Sequence, residues 1–257
     1  MLHVTLLTAT LMAAAPPAPA SVDTLPRDGT AVLQQMHDEY QGRWYRTLTF
    51  IQTTSFPNRP AETWYEAGAI PGKLRIDVAP IENGNAFMYV GDSLVMFQGG
   101  QRVRAVEDRN LLMTLAFDVY GQPVATTAAQ LTGSGVDLDR VHASTWQDRP
   151  VWVVGAEMGD TTSAQFWVDQ ERLVFVRLLE PQKNPDAPDA EPAILDVEFN
   201  RYERLGGGWI APEVIIRLNG TEIMREVYRD MRADVELPAE LYDTSTYQAP
   251  AWVAPAP

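Results

Sequence analysis

Residues able to do chemistry are sparse in this chain. Beyond the first twenty positions only His37 and His142 remain, and there is no cysteine. Thiolate nucleophiles, disulfides and zinc-thiolate sites are therefore excluded. Neither histidine falls in metal-ligand or triad spacing. His37-Asp38-Glu39-Tyr40 offers an acid/base cluster, but charged residues on an amphipathic helix ordinarily form its solvated face. Ser134, in LTGSGVD, lacks the glycine two positions earlier that a nucleophile elbow requires, and reads as part of a turn. Gly206-Gly207-Gly208 precedes a strand, with no helix behind it to cradle a phosphate. The expectation is a protein with no catalytic residue, no metal and no cofactor. A cofactor-free enzyme stays open as an alternative, because fold does not fix function.

Composition narrows the partners. Against 34 acidic residues stand 20 basic ones, a net charge of -14, which repels phosphate backbones and anionic headgroups. Nucleic acid is not an expected partner. The opening MLHVTLLTATLMAAAPPAPA is an apolar run followed by small residues, with Ala18-Pro19-Ala20 in the A-x-A pattern of a secretory cleavage site. Cleavage is expected after Ala20, although the run lacks a basic residue ahead of it and carries only His3. The apolar stretch is too short to span a bilayer comfortably, and no later segment is a candidate. Residues 1–20 thus read as a signal peptide of a soluble periplasmic or secreted protein of a Gram-negative bacterium.

The remainder must position whatever function exists, and it is mainly strands. Val32, Leu33, Met36, Tyr40 and Trp44 recur at helical spacing behind Asp28-Gly29-Thr30. Strand runs follow at 46–54, 61–67, 73–78, 86–90, 94–98 and 102–106, separated by Pro71-Gly72, Asn83-Gly84, Gly91-Asp92 and Gly99-Gly100, as in antiparallel meanders. Two short helices are predicted at 110–119 and 124–131. Strands resume at 140–146, 151–156, 163–168, 173–179, 194–201, 209–218 and 222–232, with Asn219-Gly220 as a two-residue hairpin turn. Pro- and Asp-rich residues 180–192 are expected to form a mobile loop, and 244–257 a disordered tail.

Face polarity gives the first functional hint. The run at 73–78 alternates strictly, with Leu74, Ile76 and Val78 on one side and Lys73, Arg75 and Asp77 on a side expected to face solvent. AFMYV, SLVMF, VWVVG and LVFVRL are instead apolar on both sides, so their second face needs a cover. Three short helices supply fewer residues than a second sheet would, and the shortfall implies a cavity.

FIQTTSF, TWYEAGAIPGKLRID, MYVGDSLVMF, FWVDQERLVFVRL, FNRYERLGGGWIAPEVII and MRADVELPAELYD occur in the order seen in outer-membrane lipoprotein-sorting (LolA/LolB-like) proteins, and the sequence resembles that family over nearly all of residues 21–243. The resemblance implies a mainly β, α+β fold. In it a single strongly curved antiparallel sheet of about eleven strands forms an open half-barrel, with helices plugging its concave face. It also implies a hydrophobic cavity for acyl chains and a role in lipoprotein sorting to the outer membrane. One departure stands out: where the lipoprotein carriers have an arginine that controls the helical lid, this chain has Ile70, before a matching Pro71.

On this basis the expected cavity wall is Leu48, Phe50, Leu74, Ile76, Tyr89 and Phe97, and the expected plug Leu111, Leu112, Leu115 and Phe117. Their alternative role is plain core filling. The predicted function is a periplasmic, non-enzymatic carrier of a lipid or of lipoprotein acyl chains. A second reading is an envelope protein-interaction module, in the manner of the related stress-sensing half-barrels.

Overall fold

A computed structural model describes residues 25–183 and 189–253 of the chain. The signal peptide expected at 1–20 lies outside them. Helix α1 (Gly29–Tyr40) begins where Asp28, in extended conformation, accepts a hydrogen bond from the Ala31 amide at 2.9 Å. This is an N-cap that satisfies one of the free first-turn donors. Val32, Leu33, Met36 and Tyr40 form its buried stripe. After β1 (Thr47–Phe56), β2 (Arg59–Ala69), β3 (Lys73–Val78), β4 (Asn85–Val90), β5 (Ser93–Gln98) and β6 (Gln101–Glu107) come α2 (Leu111–Ala116), capped by Asn110, and α3 (Val124–Gly133). The second series is β7 (Val141–Trp146), β8 (Arg149–Val154), β9 (Gln165–Asp169), β10 (Phe175–Gln182), β11 (Ala193–Asn200), β12 (Glu203–Leu205), β13 (Gly208–Ile210), β14 (Glu213–Leu218) and β15 (Thr221–Ala233).

Thirteen strands make one antiparallel sheet in the order β6-β5-β4-β3-β2-β1-β15-β14-β11-β10-β9-β8-β7, and β12 pairs with β13 as a separate ribbon. The mainly β architecture with few helices is as expected, and the sheet is open, ending at β6 and β7. Thirteen strands replace the roughly eleven implied by resemblance, and each strand run marked along the sequence has its counterpart. The run at 209–218 is interrupted, because Pro212 cannot donate to a ladder: it divides into β13 and β14. Strand β10 extends to Gln182, into the stretch expected as a loop, with Glu180 opposite Leu195. Residues 184–188 of that stretch lie outside the described ones.

The pairing register sorts the sheet into two faces. One carries Leu48, Phe50 and Gln52 of β1, Trp64, Glu66 and Gly68 of β2, Leu74 and Ile76 of β3, and Phe87 and Tyr89 of β4. It continues through Tyr228 and Glu226 of β15, Val214 and Ile216 of β14, and Val197 and Phe199 of β11. The helices pack on this face, where Leu33, Met36, Leu111, Leu115 and Leu131 share a core with Leu48, Phe50, Phe166 and Phe175.

The opposite face answers what covers the doubly apolar strands. Over β2 to β5 the cover is the chain's own carboxy-terminal segment. Leu241 and Tyr242 pack with Ala67, Tyr247 with Ala86, Met88, Val95 and Phe97, and Trp252 stands edge-on to Tyr65 at 6.2 Å. The expectation that Arg75 and Asp77 face solvent is overturned: they are 1% and 0% exposed. Arg75 donates to Asp77 through Nε and one terminal nitrogen (2.7 and 2.8 Å) and to the carbonyls of Leu241 and Gln248 (3.0 and 2.6 Å). Alternation within one strand cannot reveal a cover supplied from some 170 residues away. Further along, this face carries half-buried ion pairs, among them Arg177–Asp196, Arg225–Glu213 and Arg217–Glu198, the last with its carboxylate buried. Trp146 and Trp167 both lie against the Arg177 guanidinium.

Candidate functional site

The helix-bearing face over β1 to β5 gathers most of the expected wall. Leu48 and Phe50 are buried in the main core together with Leu111 and Leu115, and Leu112 and Phe117 pack against that core half-buried. Leu74 and Ile76 form a smaller cluster with half-buried Tyr89, Trp64 and Phe87. The α2 residue that seals this cluster is Met113, which the sequence reading passed over. Helix α2 is thus sandwiched, with Leu111 and Leu115 turned to the main core and Met113 to the β3–β4 wall. Phe97 does not join that cluster, although it is among the residues bordering the groove beside it. In register with Ala86, it sits on the opposite face against Tyr247, with ring centroids 5.9 Å apart.

Beside the Leu74–Ile76 cluster opens a groove of about 450 Å³, lined by Phe56, Arg59, Trp64, Val78, Phe87 and Met96 among others. The Arg59 guanidinium lies 3.4 Å from the Phe56 ring centroid at its rim, and Trp64 donates its indole N–H to Glu62 at 2.8 Å. A groove with apolar walls and a few polar groups at its margin suits an amphiphile better than a fully polar solute.

Polar groups also occupy this face, and sequence reasoning missed them. Gln52 donates to Thr54 at 2.8 Å, both buried. Tyr228, its ring 4.3 Å from that of Phe50, donates its hydroxyl to Glu226 at 2.7 Å. Glu66 lies opposite Phe50 on one side and Ile76 on the other and is 5% exposed. Burial pushes its carboxyl well above the usual range, and the nearby Glu226 adds to the shift. Burial also raises Glu226, to about 7, against hydrogen bonds from Tyr228 and Gln52. Burial, followed by Asp108 and Glu66, raises Tyr89 to about 12. The only available signal was alternation: Glu66 is flanked at two-residue spacing by Trp64 and Gly68, which point the same way.

These shifts fix a pH dependence. A carboxyl with a raised folded-state pKa holds its proton longer in the folded than in the unfolded chain, so its contribution is most favourable at low pH and is lost as pH rises through the folded value. For Glu226 the window runs from about 4.5 to about 7. Asp118, raised by burial to about 6, acts in the same sense. Stability should therefore fall by on the order of 2 kcal/mol between mildly acidic and mildly alkaline solution. Glu226→Gln should flatten part of that fall in thermal melts recorded across the range. A wild-type melting temperature that does not change would show these carboxyls to be solvated.

Among the described residues no group of His, Asp and Glu is arranged to hold a metal ion. No protein-family model matches the sequence, and no curated protein matches it. Solved structures do match. A domain from Vibrio parahaemolyticus described as an outer membrane lipoprotein-sorting protein aligns with a TM-score of 0.54 at 10% identity, over 84% of this chain and 96% of that one. A DUF1329 family protein from Desulfovibrio piger aligns with a TM-score of 0.53 at 12% identity, over 84% and 95%. A LolA superfamily protein from Nitrosomonas europaea gives 0.49 at 15% identity, over 84% and 97%. At identities this low the likeness is one of fold: this chain shares its overall fold with the Vibrio parahaemolyticus domain and the DUF1329 family protein.

Proposed function

We propose that the protein is a periplasmic carrier that holds a lipid, or the acyl chains of a lipoprotein, on the helix-bearing face of a curved half-barrel for delivery towards the outer membrane. The observation that carries this reading is the groove at Trp64, Phe87 and Met96, two of whose walls, Trp64 and Phe87, also pack against the Leu74, Ile76 and Met113 cluster. Withdrawal of α2, a helix of 6 residues, would extend the groove along that wall into a cavity for acyl chains. Each methylene buried there contributes about 0.8 kcal/mol, so a long chain is held without a covalent link. The neighbouring structure's description as a lipoprotein-sorting domain agrees with such a cargo. Among the described residues no helix is long and apolar enough to cross a membrane, and the amino-terminal sequence supports export with cleavage after Ala20.

Native mass spectrometry of the protein purified from a periplasmic extract tests the proposal. A retained lipid mass is expected, and Leu74→Trp, which fills the wall under Met113, should abolish it while leaving the fold intact by circular dichroism. Unchanged retention in the variant would move the cargo away from this wall. A co-purifying polypeptide in place of a lipid would favour the envelope interaction module instead.

A further inference from the structure

In the other half of the sheet, three turns meet at one end of β8 to β11 and border a second cavity, of about 280 Å³. Each turn brings it an arginine: Arg149 from β7–β8, Arg172 from β9–β10 and Arg201 from β11–β12. Among the described residues Asp169 is the one acid on its wall. That carboxylate is already engaged, accepting from Arg149 at 2.5 Å and from the amides of Glu171 and Arg172 at 3.0 and 2.8 Å. Arg149 is matched in turn by Asp169 and Glu171. Arg172 and Arg201 have no ion-pair partner among the described residues, in a chain whose acidic residues outnumber its basic ones by 34 to 20. The Arg172 guanidinium lies 5.1 Å from the Trp209 ring centroid, and its charge is felt at the Tyr202 hydroxyl on the cavity wall. Trp146, on the wall as well, buries an indole N–H that has no acceptor among the described residues. Arg201 is held at φ 61°, a left-handed backbone that glycine adopts at less cost. Strain of this kind gathers at ligand sites. The cavity offers donors and positive charge with no anion to meet them.

We infer that this cavity binds a phosphoryl group, with Arg172 and Arg201 as its principal donors and Arg149, held in place by Asp169 and Glu171, as a third. A tetrahedral phosphate presents oxygens in several directions and can meet guanidinium forks arriving from separate turns, whereas a planar carboxylate is served by one fork. The overall negative charge of the chain opposes this only weakly, because fields beyond about 8 Å are screened at physiological ionic strength. Val176 and Phe199 on the wall give an apolar surface to the carbon skeleton attached to the phosphate, whether that of a phosphorylated solute or of a phospholipid head group. The site lies on β8 to β11, away from the groove over β1 to β5, and does not rest on the carrier reading.

Titration calorimetry of the full chain at low ionic strength with inorganic phosphate, dihexanoyl phosphatidic acid and acetate tests this. Phosphate is expected to bind, and acetate to bind at least about tenfold more weakly. Arg172→Gln combined with Arg201→Gly should weaken phosphate and the lipid by at least about tenfold. Arg201→Gly relieves the left-handed backbone, so alone it should melt no lower than the wild type while still losing affinity, and it carries the test if the double variant does not fold. Tighter binding of the lipid than of phosphate, lost in the variants, assigns the site to a phospholipid head group, and equal or weaker binding assigns it to a phosphorylated solute. Failure of both phosphate and the lipid to bind, acetate binding as tightly as phosphate, or a phosphate affinity unchanged in the variants would each overturn the proposal.

Discussion

Arg75→Ala is expected to destabilise the protein by about 3–5 kcal/mol, because it leaves the Asp77 carboxylate buried without its counter-ion. Asp77 is 0% exposed, and burial already holds its carboxyl above the usual range against the pull of Arg75. The same substitution frees the carbonyls of Leu241 and Gln248 from the guanidinium. It should therefore detach the carboxy-terminal segment from β2–β5 as well as lower global stability. Denaturant melts give the first quantity, and the onset of proteolytic cleavage between Asp243 and Trp252 gives the second. The isolated pair is not inherently favourable: replacing both members with apolar residues, Arg75→Met with Asp77→Leu, should recover most of the loss. A single variant as stable as the wild type would mean that water reaches the pair.

Gly207→Ala is expected to cost about 3 kcal/mol or more, since a methyl group there would meet main-chain rather than side-chain atoms. A Cβ at this position would stand 1.8 Å from the Arg43 carbonyl oxygen. The neighbouring Gly208 faces the Trp44 ring at 2.5 Å by the same construction. The displaced loop carries Trp44, whose ring stacks on Tyr120 at 3.7 Å and meets Tyr40 edge-on at 5.0 Å. Loss of near-ultraviolet circular dichroism from this aromatic cluster should accompany the drop in melting temperature. Gly133→Ala, at a helical position with open space around it, serves as the control and should be neutral or slightly stabilising. If both variants melt alike, the ribbon accommodates the methyl by moving as a unit.

Much of the fold was readable because its signals are local. Asp28 before an apolar stripe, Asn110 before α2, and Asn219-Gly220 at a hairpin each determine a few backbone angles near themselves. Asn219 and Gly220 both have positive φ, 49° and 78°, as that turn requires. Gln147-Asp148 makes a hairpin with the same backbone sign (49° and 60°) and no glycine, so neither residue announces it. Features set by distant chain were not readable. Arg75 looked exposed because its cover comes from Leu241 and Gln248, and the packing of Phe97 against Tyr247 was hidden because Tyr247 lies in a segment that reads as a frayed end. Glu66 sits in a run whose neighbours suggested only a strand. A solitary acid among apolar residues gives no sign in sequence of whether its carboxyl reaches water.

The order of the sheet has a kinetic consequence. Strand β1 lies in the middle, bonded on one side to β2 and on the other to β15. Each half can zip up from hairpins, but the seam joining the halves links Leu48 to Ala233 and must wait for the last strand. Seams between such distant partners form slowly. A nascent polypeptide of this design stays unjoined until its final strand is available. Moving β15 to the amino terminus by circular permutation should accelerate closure of the seam and, with it, compaction of the whole sheet.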